Sequence, residues 1–213
     1  VVDMLSREHE RRLVQRNIMR PELAPAEQID GRPQYPRNTL FHARGDGTFA
    51  EIAHFAGIEG TEWSWNPLLL DVDLDGYEDL LVPNGFVRDN MNLDALNQIN
   101  AARAGRRLTP AEELDLRRLF PPLATPNLAF RNQGHLRFAE CGAAWGFADA
   151  VISQGACLAD LDNDGDLDVV LNNLNAPAGL YRNDSPAPRL AVRLRGAAPN
   201  TGGLHVSLRQ GLG

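Results

Sequence analysis

The sequence predicts an all-β protein: a partial β-propeller of about two and a half blades of short antiparallel strands, with a helical insertion and an N-terminal helix. Three observations lead there. An offset of 89 residues superposes two stretches of chain, matching Asn38, Phe41, Gly45, Phe49 and Gly57 with Asn127, Phe130, Gly134, Phe138 and Gly146. With an insertion removed, each repeat holds four short apolar runs in about 50 residues, the size of a propeller blade. Between two of those runs, both repeats carry Asp-x-Asp-x-Asp-Gly-x-x-Asp.

Taken in order, Ser6 to Met19 reads as a surface helix, with Ser6 as N-cap and Glu8 and Glu10 in the first turns. Strands are expected at Thr39–His42 and from Gly47-Thr48-Phe49 onward, with counterparts at Asn127–Arg131 and from Leu136-Arg137-Phe138. Leu68-Leu69-Leu70 and Ala156-Cys157-Leu158 lead into the acidic loops, and Leu80-Leu81-Val82 and Val169-Val170-Leu171 lead out. A third unit opens at Tyr181-Arg182-Asn183, only 51 residues after Phe130-Arg131-Asn132. The missing 38 residues place an insertion in the first unit at 86–123. It reads as helical: Leu93, Leu96, Ile99 and Asn100 keep a helical spacing, and Thr109-Pro110-Ala111-Glu112 is a capping box with Pro at the first helical position. Leu114, Leu116 and Leu119 follow, and Pro121-Pro122 stops the helix. The insertion is either a packed decoration or a lid or partner-binding element.

The 213 residues are 43% hydrophobic and 23% charged, which suits a folded soluble chain, and no apolar run reaches the length of a membrane helix. The formal charge of −7 argues against a nucleic-acid binder held by a basic surface. All 21 basic residues are Arg, a skew that points to a GC-rich bacterial coding sequence. The acidity is local. Asp71, Asp73, Asp75, Glu78 and Asp79, with Asp160, Asp162, Asp164, Asp166 and Asp168, carry ten negative charges and leave the remainder at +3. Cys141 and Cys157 have neither zinc-site nor framework spacing; two buried free thiols in neighbouring strands and one cross-strand disulfide are both open readings. The start, VVDMLSREHE, shows no signal-peptide pattern and no initiator Met, so the chain is expected to begin inside a longer protein.

The two acidic loops read as metal sites. Carboxylates at positions one, three, five and nine converge if the backbone turns tightly, and Gly76 and Gly165 at position six allow that turn. Converging carboxylates repel unless a cation lies among them. Calcium suits best, since it takes six to eight oxygens with tolerant geometry, whereas magnesium keeps more of its own waters. Neither loop contains Cys or His, which disfavours zinc. The ligands are Asp71, Asp73, Asp75 and Asp79 in one loop and Asp160, Asp162, Asp164 and Asp168 in the other, with the position-seven carbonyl of Tyr77 or Asp166 added. An EF-hand is rejected: position twelve is Val82 or Leu171, inside a strand-like run, where an EF-hand carries Glu and a helix. Two structural calcium ions are therefore expected, each pinning a hairpin.

Those loops between short strands, with Phe130-Arg131-Asn132, Gly134 and Phe138 and with Asn38-Thr39-Leu40-Phe41 and Gly45-Asp46-Gly47-Thr48-Phe49, resemble the FG-GAP or VCBS repeat of integrin α-like β-propellers. Trp63-Ser64-Trp65 before Leu69-Leu70-Asp71, then Asn84-Gly85-Phe86 and Arg88-Asp89, is similar to the cartilage acidic protein-like group, whose propellers end in an ASPIC/UnbV domain; Arg189–Gly196 and Asn200–Ser207 resemble that domain's opening strands. The resemblance implies an extracellular, periplasmic or cell-surface calcium-binding propeller of about seven blades, of which this chain is a segment needing the remaining blades of its parent. It divides the chain into the end of a preceding blade plus a helical linker (1–35), a blade with a calcium loop (36–85), the helical insertion (86–123), a second such blade with the start of the next (124–185), and the start of a truncated ASPIC/UnbV-like domain (186–213).

No catalytic constellation is legible. Gly45-Asp46-Gly47 is a turn signal without a following helix, the five His residues (His9, His42, His54, His135 and His205) are scattered, and a metal-ligating carboxylate is a poor proton carrier. Trp63, Trp65 and Trp145 fit blade-core packing or a sugar-stacking face. The expected function is a non-catalytic binding or adhesion module presenting propeller loops to a protein or glycan, with no nucleic acid and no membrane span. The alternative is a segment of a larger secreted hydrolase or lyase whose active site lies in other blades.

Overall fold

The computed structural model describes residues 1–16, 36–103 and 105–188. Helix α1 (His9–Val14) precedes a hairpin of β1 (Phe41–Ala43) and β2 (Phe49–Glu51) and the single turn α2 (Ala53–Ala56). β3 (Leu68–Leu70) and β4 (Asp79–Val82) flank the first acidic loop. β5 (Phe86–Arg88) and β6 (Pro122–Leu123) bracket α3 (Leu93–Arg103) and α4 (Pro110–Arg117). β7 (Leu128–Asn132) and β8 (Phe138–Glu140) follow, then β9 (Ser153–Ala159), the second acidic loop, β10 (Asp168–Asn173) and β11 (Gly179–Tyr181). Local chemistry explains several boundaries. Asp46 accepts hydrogen bonds from the Thr48 amide (2.9 Å) and hydroxyl (2.6 Å), closing the turn between β1 and β2. α4 opens on the full capping box of Thr109 and Glu112, with Pro110 in its first turn.

The fold is all-β, a set of small antiparallel sheets with few helices in a partial, propeller-like arrangement. One sheet is a four-stranded meander in the order β3-β4-β7-β8, and β9, β10 and β11 form a three-stranded one. β1–β2 and β5–β6 are two-stranded, the latter closing the neck of the helical insertion. The repeat and the sheet are out of phase. Residues 36–85, expected as one blade, give β1 and β2 to one sheet and β3 and β4 to another, which 124–185 completes with β7 and β8. The reason is pairing. β4 is buried along its whole length, so its second edge needs hydrogen-bond partners, and β7 supplies them through Leu80↔Phe130, Leu81↔Ala129 and Val82↔Leu128. Val1 stands to Thr39 as Val82 stands to Leu128: their backbones exchange hydrogen bonds of 3.0 and 2.9 Å.

The four-stranded sheet is sandwiched between two apolar layers. Leu80, Val82, Leu128 and Phe130 face Ala53, Ala56 and Ile58, with Leu40 and Phe138 packed alongside. Leu81 and Ala129, on the opposite face, meet Phe147, Val169 and Leu171 of the following unit, joined by Leu68, Leu70, Trp145 and Tyr181. This two-sided burial is why β4 reads as a continuous apolar run. The insertion has its own small core of Ala95, Ile99 and Phe120, with Leu96 and Leu116 against it.

Expectations for Ser6 and for the two cysteines are corrected. Ser6 does not cap a helix: it is buried, its hydroxyl donates to Glu62 (3.0 Å), and α1 starts at His9 with Glu8 in the cap position. The Ser6 hydroxyl accepts from the Glu8 amide (3.2 Å), ahead of the helix, and the Arg7 amide (2.8 Å) and Arg11 guanidinium (2.8 Å) bind the same Glu62 carboxylate. Both cysteines are free thiols, and only Cys157 lies in a strand, β9. Cys141 is half-buried after β8, whereas Cys157 is exposed, because Ala156 and Leu158 on either side of it turn to the core. Trp63 and Trp65 stack on Phe86, with ring centroids at 4.5 and 6.0 Å, and Trp145 packs in the second core layer. The first helix also ends earlier than expected, at Val14, because Gln15 is extended and bridges Asn92. Residues 17–19 of the expected helix, the linker through Tyr35, and the segment from Arg189 expected to open an ASPIC/UnbV-like domain lie outside the described residues.

Glu51 locks the first hairpin to α2. It accepts from the amides of Leu40 (3.2 Å) and Ala53 (2.8 Å) and from Arg37 (2.6 Å). Arg37 foremost, then those amides, hold its carboxyl down at about 2, against the usual 4.5. Its contribution is therefore complete above about pH 4.5 and is lost as pH falls toward about 2. Urea denaturation at stepped pH should show Glu51→Gln removing part of the stability loss in that window; an unchanged acid profile would contradict the assignment.

Candidate metal centre

The two acidic loops have one design. Each joins the first two strands of a sheet, β3 to β4 and β9 to β10. The first aspartate folds the loop over itself: Asp71 accepts from the amides of Asp75 and Gly76 (both 2.9 Å), and Asp160 from those of Asp164 and Gly165 (both 3.2 Å). Making those bonds takes two left-handed residues per loop. They are Leu74 (φ 57°) and Gly76 (φ 91°) in one, Asn163 (φ 62°) and Gly165 (φ 96°) in the other.

Asp71, Asp73 and Asp79 come together, as do Asp160, Asp162 and Asp168: within each trio, one oxygen from every carboxylate lies within 4.8 Å of the others. The ninth-position residues anchor the trios from below. Asp79 is fully buried and Asp168 nearly so. Asp79 accepts from the Val72 amide (2.9 Å) at the loop's start and from the Asn132 amide (2.8 Å) on β7. Asp168 does the same with Leu161 and Asn183 (both 2.8 Å). Burial pushes the Asp79 carboxyl above its ordinary value, and the charges of Asp73 and Asp75 add to this against the pull of those two amides.

The fifth position stands apart from these trios. Asp75 accepts from the Tyr77 amide (3.0 Å) and Asp164 from the Asp166 amide (3.2 Å), so each carboxylate serves its own turn. Tyr77 is exposed and its ring lies over Gly134, while Asp166 is buried. Their expected part is a backbone carbonyl, for which the side chain's identity does not matter.

Sequence reasoning passed over the residues that complete the sites. Asn132 and Asn183 offer their amides to the ninth aspartate, and their side chains accept from Gly134 (3.0 Å) and Ser185 (3.1 Å), turning the chain at that point. Arg131 makes ion pairs with Asp73 (2.6 Å) and Asp75 (3.1 Å), and Arg182 with Asp184 (2.7 Å). The recurrence of Arg-Asn after an aromatic residue was the available signal; it marked the repeat without revealing that the pair folds back onto the preceding loop.

The donor set is hard, anionic oxygen alone, which suits calcium or another oxygen-seeking divalent ion. Asp73 also keeps one buried oxygen, Oδ1, with no hydrogen-bond partner, a costly arrangement that a cation in the trio relieves. Residues 29–82 match the family model described as an FG-GAP-like repeat. The matched 54 of 213 residues take in the first hairpin and run to the last residue of β4, so they contain the whole first loop. The match supports an FG-GAP repeat in that segment, in keeping with the propeller-like sheets. No curated protein matches the chain.

Gly76 and Gly165 have open space where a Cβ would sit, so an alanine there meets only the backbone penalty of its positive φ. Gly76→Ala and Gly165→Ala should each lower the unfolding free energy by about 1 kcal/mol in chemical denaturation. A neutral result at both positions would contradict the loop conformation.

Proposed function

We propose that this chain is a calcium-stabilised, non-catalytic β-propeller module that binds a protein or glycan outside the cytoplasm. The observation that carries the reading is the paired convergence of Asp71, Asp73 and Asp79 and of Asp160, Asp162 and Asp168, repeated with the same backbone conformation in both loops. Calcium is the ion proposed. Asp71, Asp73 and Asp79 would hold one ion and Asp160, Asp162 and Asp168 the other, with backbone carbonyls of Tyr77 and Asp166 and water filling the remaining positions. The ion's role is electrostatic: it neutralises carboxylates that otherwise repel at the tip of a hairpin. The match to an FG-GAP-like repeat supports an extracytoplasmic setting, and no helix among the described residues is long and apolar enough to cross a membrane. The ASPIC/UnbV-like reading of 186–213 belongs to the same proposal.

Calcium should raise the melting temperature of the intact protein, and Asp162→Ala should reduce that gain; equal melting in calcium and in excess chelator would remove the structural role. Arrays of glycans and matrix proteins, run with and without chelator beside a turnover screen on polysaccharides and esters, test the rest. Calcium-dependent capture without turnover is the expected result, and turnover would favour an enzyme.

A further inference from the structure

We propose that Arg131 is a tethered counter-ion of the first acidic loop, holding Asp73 and Asp75 together when no metal is bound and thereby lowering that loop's dependence on calcium. The metal half of this inference rests on the calcium reading above. Arg131 Nε lies 2.6 Å from Asp73 Oδ2 and Nη2 lies 3.1 Å from Asp75 Oδ2, so one planar guanidinium spans the third and fifth positions. It reaches them from β7, which pairs with β4 through three residues, so the sheet delivers the charge and the loop does not have to order it. Asp73 Oδ1, the oxygen left without a hydrogen bond, is not the one Arg131 holds. Arginine and a cation in the trio can therefore be accommodated together, on opposite sides of one carboxylate.

Their charges have the same sign, which decides the energetics. In the metal-free loop the guanidinium sees an uncompensated cluster of carboxylates. With a divalent ion in place, the same guanidinium sees a neutralised cluster and a nearby positive charge. Arg131 therefore stabilises the metal-free hairpin more than the loaded one, and by linkage it weakens calcium binding by the same factor. Arg182 holds the corresponding place one repeat later, and its ion pair is with Asp184 at 2.7 Å. The charges of Asp162 and Asp164 also act on Arg182, so the two arginines differ in their short ion pair and not in which loop positions they feel.

The test uses the intact chain carrying Asp162→Asn, which disables the second loop, with and without Arg131→Gln or Arg131→Lys. Calcium titration calorimetry should show Arg131→Gln binding calcium about three- to tenfold more tightly, since screened Coulomb repulsion at the surface is of that order. Arg131→Lys should stay near the parent. In chelator, Arg131→Gln should melt at a lower temperature, and that drop should vanish when Asp73 and Asp75 are both replaced by Asn. Unchanged or weaker calcium binding in Arg131→Gln would overturn the proposal, because the arginine would then be arranging ligands or doing nothing. Should the parent bind no calcium, the calcium reading fails by itself. The chelator melts then decide the counter-ion role: a drop that depends on Asp73 and Asp75 upholds it, and no drop overturns it.

Discussion

The interaction on which this molecule depends is the hydrogen bonding of a buried aspartate into the following repeat. Asp79 and Asp168 each use one oxygen to close their own loop and the other to hold the amide of Asn132 or Asn183. A carboxylate without solvent contact is tolerated only where its oxygens are satisfied, and here two backbone amides satisfy each one. The bond does two things together. It fixes where the acidic loop stops and the second strand starts, and it registers that strand against the next unit. Loop geometry and blade assembly are thus one structural event, and neither acidic loop is complete within its own repeat.

That coupling explains the phase difference between repeat and sheet. The acidic hairpin contributes the first two strands of a sheet, and the next repeat contributes the strands that pair with it. Apolar layers on both faces of the four-stranded sheet then bind it to its neighbours, through Phe130 and Ile58 on one side and Leu81 and Val169 on the other. Charge is kept at the loop end of these strands. The helical insertion leaves from the opposite end of β4, beyond Val82, through the β5–β6 neck. The acidic loop and the helical insertion are therefore separated by the length of a strand.

Much of this was legible residue by residue. The apolar runs at 68–70, 80–82, 156–158 and 169–171 all lie in strands, because a short apolar run bounded by turn chemistry has few alternatives. Thr109-Pro110-Ala111-Glu112 closes as a capping box because its partners are only three residues apart. The misreadings involve partners far along the chain. Ser6 was readable as a cap only while Glu62, 56 residues away, was unknown to be its neighbour. Cys157 looked like part of a buried run until the pairing of β9 assigned its face.

The sequence by itself determined the two acidic turns, since the spacing of aspartates around Gly76 and Gly165 is a local matter of backbone conformation and amide reach. It also determined the insertion and its helices, whereas the two-stranded neck of β5 and β6 inside the expected helical segment 86–123 was not legible, because it depends on pairing across 34 residues or more. Tertiary structure alone decided which strands share a sheet, which three carboxylates of each loop converge, and that Arg131 lies against Asp73 and Asp75. The physical reason is distance along the chain. Propensity and turn chemistry act over a few residues, whereas a second strand edge, a buried acceptor and an ion pair are each satisfied by whichever distant group the packed sheets bring within about 3 Å.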